Sequence, residues 1–344
     1  MDTGEIYAEA LRLWRATPIG DLDNALRFGQ EAQELGKEGL TEEDASWFGS
    51  AAARGDNLLL LGENLPLMAA LAKQLGGGVR DPLNLVYMDP PYFSNRNLES
   101  HIKIKTPAGE KFVTIPAFSD TWSRAGVNNS FTNAIEGYLT MLTPRIVAAR
   151  ELLAEDGSLW IHLDRRAVHY VKVITDEIFG GGDHLINEVV WSYKSGGAST
   201  RRFSNKHDTL LFYAKDKKNY KFFPLEEKSY NRKLKPYRFK NVKEYRDDFG
   251  WYTMVNMKDV WEIPMVGRTA SERTGYATQK PETLIERILL ACTEEGDVCL
   301  DPFGGSGTMA SACGRLGRRW ISIDENPMAV DVAAERLGLR GMQG

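Results

Sequence analysis

Three cysteines in 344 residues, Cys292, Cys299 and Cys313, are too few and too irregularly spaced for a disulfide framework, and no CxxC pair marks a zinc site. The five histidines, His101, His162, His169, His184 and His207, show no ligand spacing, so no metal is expected. No run of 18 or more apolar residues exists, which leaves the sequence without a candidate membrane span. The opening residues, MDTGEIYAEA, are acidic where a secretory signal is basic and then apolar. Net charge is nearly absent too, since 43 Lys+Arg against 47 Asp+Glu leave −4. A globular protein of the reducing cytoplasm is expected: 42% hydrophobic and 10% aromatic residues rule out wholesale disorder, and the length suits one large or two modest domains.

The small net charge averages unlike segments. Residues 1–56 carry twelve acidic and five basic residues, or −7, whereas residues 194–246 carry sixteen basic and five acidic, or +11. An asymmetry of that size fits a polyanion partner on one side, and it also fits a solvated lysine-rich loop. Charge alone does not choose.

The chain pattern alternates strands and helices. Helices are expected at 3–16, with Pro18 as the stop, and at 22–35. A strand at 57–61 follows Gly55-Asp56, and a helix at 64–75 closes on three glycines. The near-continuous apolar run 83–89 reads as a parallel strand covered on both faces. Residues 93–133 are polar and long for a connection, which predicts a lid or a flexible loop. The pattern then gives helix 134–154, strand 157–164, helix 167–179, and strands 186–193 and 208–214. Residues 215–275 are basic and rich in Tyr and Phe with no helical period, as in an inserted module. Helix 281–293, strand 297–302, helix 307–316, strand 319–324 and a last helix complete an α/β sheet with helices on both faces.

Two strands end in motifs with chemical content. Asp301-Pro302-Phe303-Gly304-Gly305-Ser306-Gly307-Thr308 leaves an apolar strand and opens a helix, so its backbone can approach a ligand at a helix N-terminus. It lacks the Gly-Lys-Ser/Thr ending of a nucleotide-hydrolysing P-loop, but Gly305, Gly307 and Ala310 fit G-x-G-x-x-A. Asp324, at the end of the next strand, is placed to accept hydrogen bonds from both ribose hydroxyls of a nucleoside. The second motif is Asp89-Pro90-Pro91-Tyr92. Its prolines remove donors and stiffen the turn, leaving the Asp89 carboxylate and the Pro90 carbonyl as acceptors beside an aromatic face. That set suits a planar ring with an exocyclic amino group.

With these motifs the sequence resembles the β-class, permuted amino DNA methyltransferases that use S-adenosylmethionine, over roughly residues 55–340. LVYMDPPY and LDPFGGSGT are joined by FSDTW (118–122), the stretch 138–164, DEIFG (176–180), NEVVWSYKSGG (187–197), HDTLLFYAKD (207–216) and ATQKPETLIERIL (277–289). The resemblance implies a circularly permuted Rossmann-like sheet and transfer of a methyl group to an exocyclic base nitrogen, with S-adenosylhomocysteine as product and no metal. Asp89, Pro90, Pro91 and Tyr92 would be catalytic. Asp301, Phe303, Gly304, Gly305, Ser306, Gly307 and Thr308 would cradle the cofactor, and Asp324 would hold its ribose. Gln279, Lys280 and Pro281 would border its methionine moiety, with Asp56 and Asn57 near its adenine.

Strand order is consistent with permutation. The glycine-turn and ribose strands, first and second in an unpermuted sheet, come last here, and the third and fourth stand at 57–61 and 83–89. Asp at the first motif position resembles the adenine-N6 members, while cytosine N4 or RNA adenine remain alternatives. A non-catalytic DNA-binding subunit is the alternative from another class, and intact Asp89, Tyr92 and the glycine turn weigh against it.

The implied division is a helical N-terminal extension (1–54), a catalytic half (55–214), a target-recognition region (215–275) and a cofactor-binding half (276–344). Double-stranded DNA is the implied partner, in a bacterial-type cytoplasm at the nucleoid. Arg201, Arg202, Lys217, Lys218, Arg232, Lys233, Lys235, Arg238 and Lys240 are its candidate contacts. A homodimer contact through the N-terminal segment and a cognate restriction subunit both stay open.

Overall fold

The computed structural model describes residues 57–76, 82–94, 96–106, 109–122, 131–194 and 199–339. The helices expected at 3–16 and 22–35, and Asp56, lie outside the described residues. Strands β1 (Leu58–Leu61), β2 (Leu83–Met88), β5 (Leu153–Leu163), β6 (Leu185–Ser192), β7 (His207–Ala214), β11 (Val260–Glu262), β12 (Val298–Asp301) and β13 (Arg319–Asp324) form one sheet in the order β1-β13-β12-β2-β5-β7-β6-β11. All neighbours run parallel except β7, which is antiparallel to both β5 and β6.

Period-2 alternation sorts the strand side chains into two cores. Val86, Met88, Leu159, Ile161, Leu300 and Ile323 pack on one face against α1 (Asn64–Gly76), α2 (Phe131–Leu152) and α3 (Val168–Phe179). Leu85, Tyr87, Trp160, Cys299 and Trp320 pack on the other against α4 (Glu282–Cys292) and α5 (Thr308–Arg315). Both faces being covered explains why β2 and β12 read as unbroken apolar runs. The three cysteines are free and buried, and burial pushes the Cys292 thiol up to about 12, well away from nucleophilic use.

The first two strands of the chain flank the last two. From β12 the sheet extends one way through β13 to β1, and from β2 it extends the other way to β5. The carboxyl ends of β12 and β2 therefore bound the crevice where the order reverses, the usual ligand position in an open α/β sheet.

One expectation changes. The stretch 93–133 is not a structureless loop: β3 (Asn97–Thr106) and β4 (Gly109–Ser119) form a long antiparallel hairpin. Its root is tied to the 274–281 loop, because the Ala277 N–H donates to the buried Ser100 Oγ at 2.9 Å. The 215–275 stretch contains a second sheet, β8 (Glu226–Tyr230), β10 (Trp251–Asn256) and β9 (Tyr245–Arg246), ordered β8-β10-β9 and antiparallel. The last helix, α6 (Pro327–Arg336), starts on an Asn326 side-chain cap. Among the described residues no helix is long and apolar enough to cross a membrane.

Candidate active site

A cavity of about 590 Å³ opens at the reversal point and is lined from both motifs, by Asp89, Pro90, Pro91 and Tyr92 on one side and Asp301–Ser306 on the other. That volume falls within the range of small-molecule sites.

The glycine turn is built against β13. A methyl on Gly304 would stand 2.1 Å from Ser322 Oγ, and Gly307 has a positive φ (71°) with Ala333 packed beside it. Gly305 donates its N–H to Asp324 Oδ2 at 2.8 Å, and the Asn326 N–H donates to Oδ1 at 2.9 Å. Each Asp324 oxygen keeps a further lone pair. Burial raises the Asp324 carboxyl to about 6 against the pull of those two N–H donors. Deeper in, burial pushes the Asp301 carboxyl well above the usual range, while it accepts the Phe303 N–H at 3.0 Å.

On the other side of the cavity, Lys280 Nζ forms a hydrogen-bonded ion pair with Asp89 Oδ2. The Tyr92 hydroxyl lies beside the carboxylate, and among the described residues neither it nor the buried Asp89 Oδ1 has a hydrogen-bond partner. Burial, and then the Asp89 charge, hold the Tyr92 phenol far above its ordinary range. The ring packs on the buried His162 imidazole, with centroids 5.7 Å apart. His162 is hydrogen-bonded to the Tyr87 hydroxyl at 2.9 Å, and its pKa is lowered by burial and then by the Lys280 charge, which favours neutral imidazole behind the ring.

Gln279 lines the cavity while its amide pins its own loop, accepting from Thr274 N and Oγ1 and donating to the Glu272 carbonyl at 2.6 Å. Pro281 is buried as the N-cap residue of α4, and Thr308 begins α5.

Asn57 stands elsewhere. It precedes β1 and accepts the Trp320 N–H at 3.0 Å, at the end where β1 and β13 begin, so the ligand end of the sheet is out of its reach. The residues that follow β1 line the cavity instead. Asn64 donates to the Pro302 carbonyl at 2.7 Å, Glu63 lines the cavity, and Arg145 from α2 bridges the two side chains. The sequence signal was Gly62-Glu63-Asn64, directly after a parallel strand. Asp120, within FSDTW, is a further cavity carboxylate; it is fully buried and accepts from the Ser94 N–H and from Trp122 Nε1 (2.6 Å).

The basic candidates separate. Residues 215–221 return along the end of the sheet where β5 and β12 begin, with Lys215 N–H on the Gly157 carbonyl and Lys221 Nζ on Asp297 at 2.8 Å. Lys217 and Lys218 therefore lie opposite the cavity, and Lys217 is ion-paired with Asp183. Arg201 and Arg202 are exposed in the β6–β7 connection, on the cavity end. Arg232, Lys233, Lys235, Arg238 and Lys240 are exposed beside the small sheet, where Glu244 ties down the Tyr237 and Arg238 N–H groups at 2.8 Å. Among the described residues no cluster of His, Cys, Asp or Glu is arranged to hold a metal.

Comparison with known families decides the affiliation: the N6/N4 DNA methylase model matches residues 83–335, nearly three quarters of the chain. The chain belongs to that DNA methylase family. The type II methyltransferase M.HpaI of Haemophilus parainfluenzae is 32% identical over 187 residues, a match spanning 54% of this chain and 55% of that enzyme. The chain thus aligns with about half the length of that relative. The type II methyltransferase M2.DpnII of Streptococcus pneumoniae is 28% identical over 260 residues, covering 75% of this chain and 83% of the relative. Among solved structures, the cytosine-N4-specific PvuII DNA methyltransferase shares the fold with a TM-score of 0.50 at 16% identity, covering 82% of this chain and 89% of the other.

Proposed function

We propose that the chain is a β-class, site-specific DNA methyltransferase that moves a methyl group from S-adenosylmethionine to N6 of an adenine flipped out of duplex DNA. One observation carries this reading: Asp89, whose Oδ1 has no partner among the described residues, and Tyr92 share a single cavity with the glycine turn and Asp324. An amine-binding half and a nucleoside-binding half thereby face the same space. Residues 55–214 and 276–344 form the catalytic unit, and residues 215–275 supply target recognition.

The residues present fit the cofactor. The Gly304–Ser306 turn brings backbone against the cavity, and Asp324 offers one free acceptor site per oxygen to two ribose hydroxyls. The cofactor contributes an electrophilic methyl carbon on a sulfonium. Asp89 Oδ1 accepts one N–H of the target amine and the Pro90 carbonyl accepts the other. Together they would draw the nitrogen lone pair out of conjugation and aim it at the methyl carbon. The N–C bond forms as the C–S bond breaks, the neutral thioether S-adenosylhomocysteine leaves, and the surplus proton of the methylated nitrogen passes to Asp89. Tyr92 stacks on the base, returning about 1–3 kcal/mol of the few kcal/mol that flipping costs. Asp at the first motif position favours adenine. Incubating unmethylated genomic DNA with protein and S-adenosylmethionine, then mapping modified bases by single-molecule sequencing, tests the reading; a modified adenine in one recurring sequence is expected, and unmodified DNA would refute it.

Because the Asp324 carboxyl titrates at about 6, above an ordinary aspartate, it gains a proton as pH falls and loses an acceptor. Cofactor affinity is expected to fall about tenfold between about pH 7.5 and about pH 5 by calorimetry. Asp324→Asn should flatten that dependence, and an unchanged wild-type affinity across the range would exclude Asp324 from the ribose site.

The DNA surface comprises Arg201, Arg202 and the exposed cations of 232–240, interleaved with the exposed rings of Phe203, Tyr237 and Phe239. Lys217 and Lys218 are left out of it by position. Reversing the charge at Arg232, Lys235 and Lys240 is expected to reduce the salt slope of DNA binding by about 0.9 for each phosphate that is no longer neutralised. An unchanged slope would remove this segment from the interface.

A further inference from the structure

The loop before α4 brings a buried cation to the catalytic carboxylate. Lys280 is 7% exposed, its ammonium donates to Asp89 Oδ2 and to the Thr278 carbonyl at 3.3 Å, and it stands 5.0 Å from the centre of the Tyr92 ring. Six acidic side chains, Glu63, Asp89, Asp120, Asp301, Asp324 and Glu325, line the same cavity. Lys280 takes one oxygen of Asp89 and leaves the other, Oδ1, buried with no partner among the described residues. Thr278, which helps hold the ammonium, has a positive φ of 60°, costly for a β-branched residue and sustained only where surrounding structure imposes it. The adjoining backbone is fixed on both sides, by Ala277 N–H on Ser100 Oγ and by the Gln279 amide, which accepts from Thr274 and donates to the Glu272 carbonyl.

We propose that Lys280 is a positioning residue for methyl transfer: it captures Asp89 Oδ2 so that Oδ1 alone faces the target amine, and it steadies the Tyr92 ring on which the base stacks. This rests on the methyltransferase reading and refines it, because the sequence resemblance placed Lys280 along the methionine moiety instead. A free aspartate carboxylate turns about its last torsion and can present either oxygen. Pinned through one oxygen it presents a single acceptor, which is the preorganisation an in-line transfer needs.

The test compares Lys280→Met and Lys280→Arg at saturating DNA and cofactor, on the site mapped with wild-type protein. Lys280→Met is expected to lower kcat at least about 100-fold while the S-adenosylmethionine Kd, from calorimetry, stays within about threefold. Lys280→Arg, which keeps a donor, is expected to recover about tenfold of that loss. Retained kcat with a cofactor Kd weakened tenfold or more would overturn the proposal and assign Lys280 to the cofactor. A second comparison avoids leaving a buried charge unpaired. In an Asp89→Asn background, Lys280→Met is expected to cost less than about threefold, since a residue acting through Asp89 has nothing left to position. A full additional 100-fold loss there would also overturn it. Failure of the wild-type protein to methylate any DNA would sink the parent reading and this proposal with it, whereas intact wild-type methylation without the expected Lys280 effects would overturn this proposal alone.

Discussion

Asp89→Ala is expected to lower methyl transfer by about 10³-fold or more, with the Kd values for S-adenosylmethionine and for DNA staying within about threefold. The asymmetry follows from where Asp89 stands. In the proposed reaction its Oδ1 accepts from the target amine, an interaction strengthened as the nitrogen rehybridises, whereas Asp324 and the glycine turn belong to other strands. The substitution also strands the Lys280 ammonium, which is buried and loses its anionic partner. A drop in thermal stability of about 3–5 kcal/mol is therefore expected alongside, and thermal protection by S-adenosylmethionine checks that the variant is folded and binding-competent. Methylation within tenfold of wild type would remove Asp89 from the mechanism.

Gly304→Ala is expected to weaken cofactor binding with no change at the amine site. The added methyl would meet Ser322 Oγ at 2.1 Å and the Ile323 carbonyl at 3.3 Å, and Ser322 is buried within β13. Rotating one hydroxyl does not clear the backbone, so the turn must lift off the strand. The Gly305 N–H that Asp324 accepts then moves as well. A displacement of this kind costs about 2 kcal/mol, roughly thirtyfold in Kd. Calorimetric titration checks it, and wild-type affinity would show that the turn does not depend on its seat against β13.

Much of the fold was legible because parallel strands covered on both faces leave unbroken apolar runs, and helices between them close on Gly or Pro. Strand β2 and helix α4 fall within a residue or two of their expected bounds. The hairpin was missed because polar composition was weighed ahead of period. Ile102-Lys103-Ile104-Lys105 alternates strictly, which signals a strand whatever its polarity. The resemblance set Asp56 and Asn57 near the adenine, yet ligands gather where parallel strands end, and β1 ends just before Gly62-Glu63-Asn64. Arg145 carries no local signal at all. It reaches Glu63 and Asn64 from mid-helix across about eighty positions of sequence, and only the packing of α2 on α1 brings them together. Lys280 was singled out for its motif, but its partner Asp89 lies 191 residues away and no spacing rule connects the two. The lysines of 215–221 shared the charge of the basic segment without sharing its position, since β7 runs antiparallel and delivers them to the far end of the sheet.

The central claim is that Asp89 and Tyr92 present an exocyclic adenine nitrogen to a methyl donor. Nucleoside mass spectrometry on DNA treated with wild-type and Asp89→Ala protein measures this most directly. The account predicts N6-methyldeoxyadenosine in the wild-type digest and none above background with the variant. Equal amounts from both proteins, or a product methylated on a ring carbon, would contradict it.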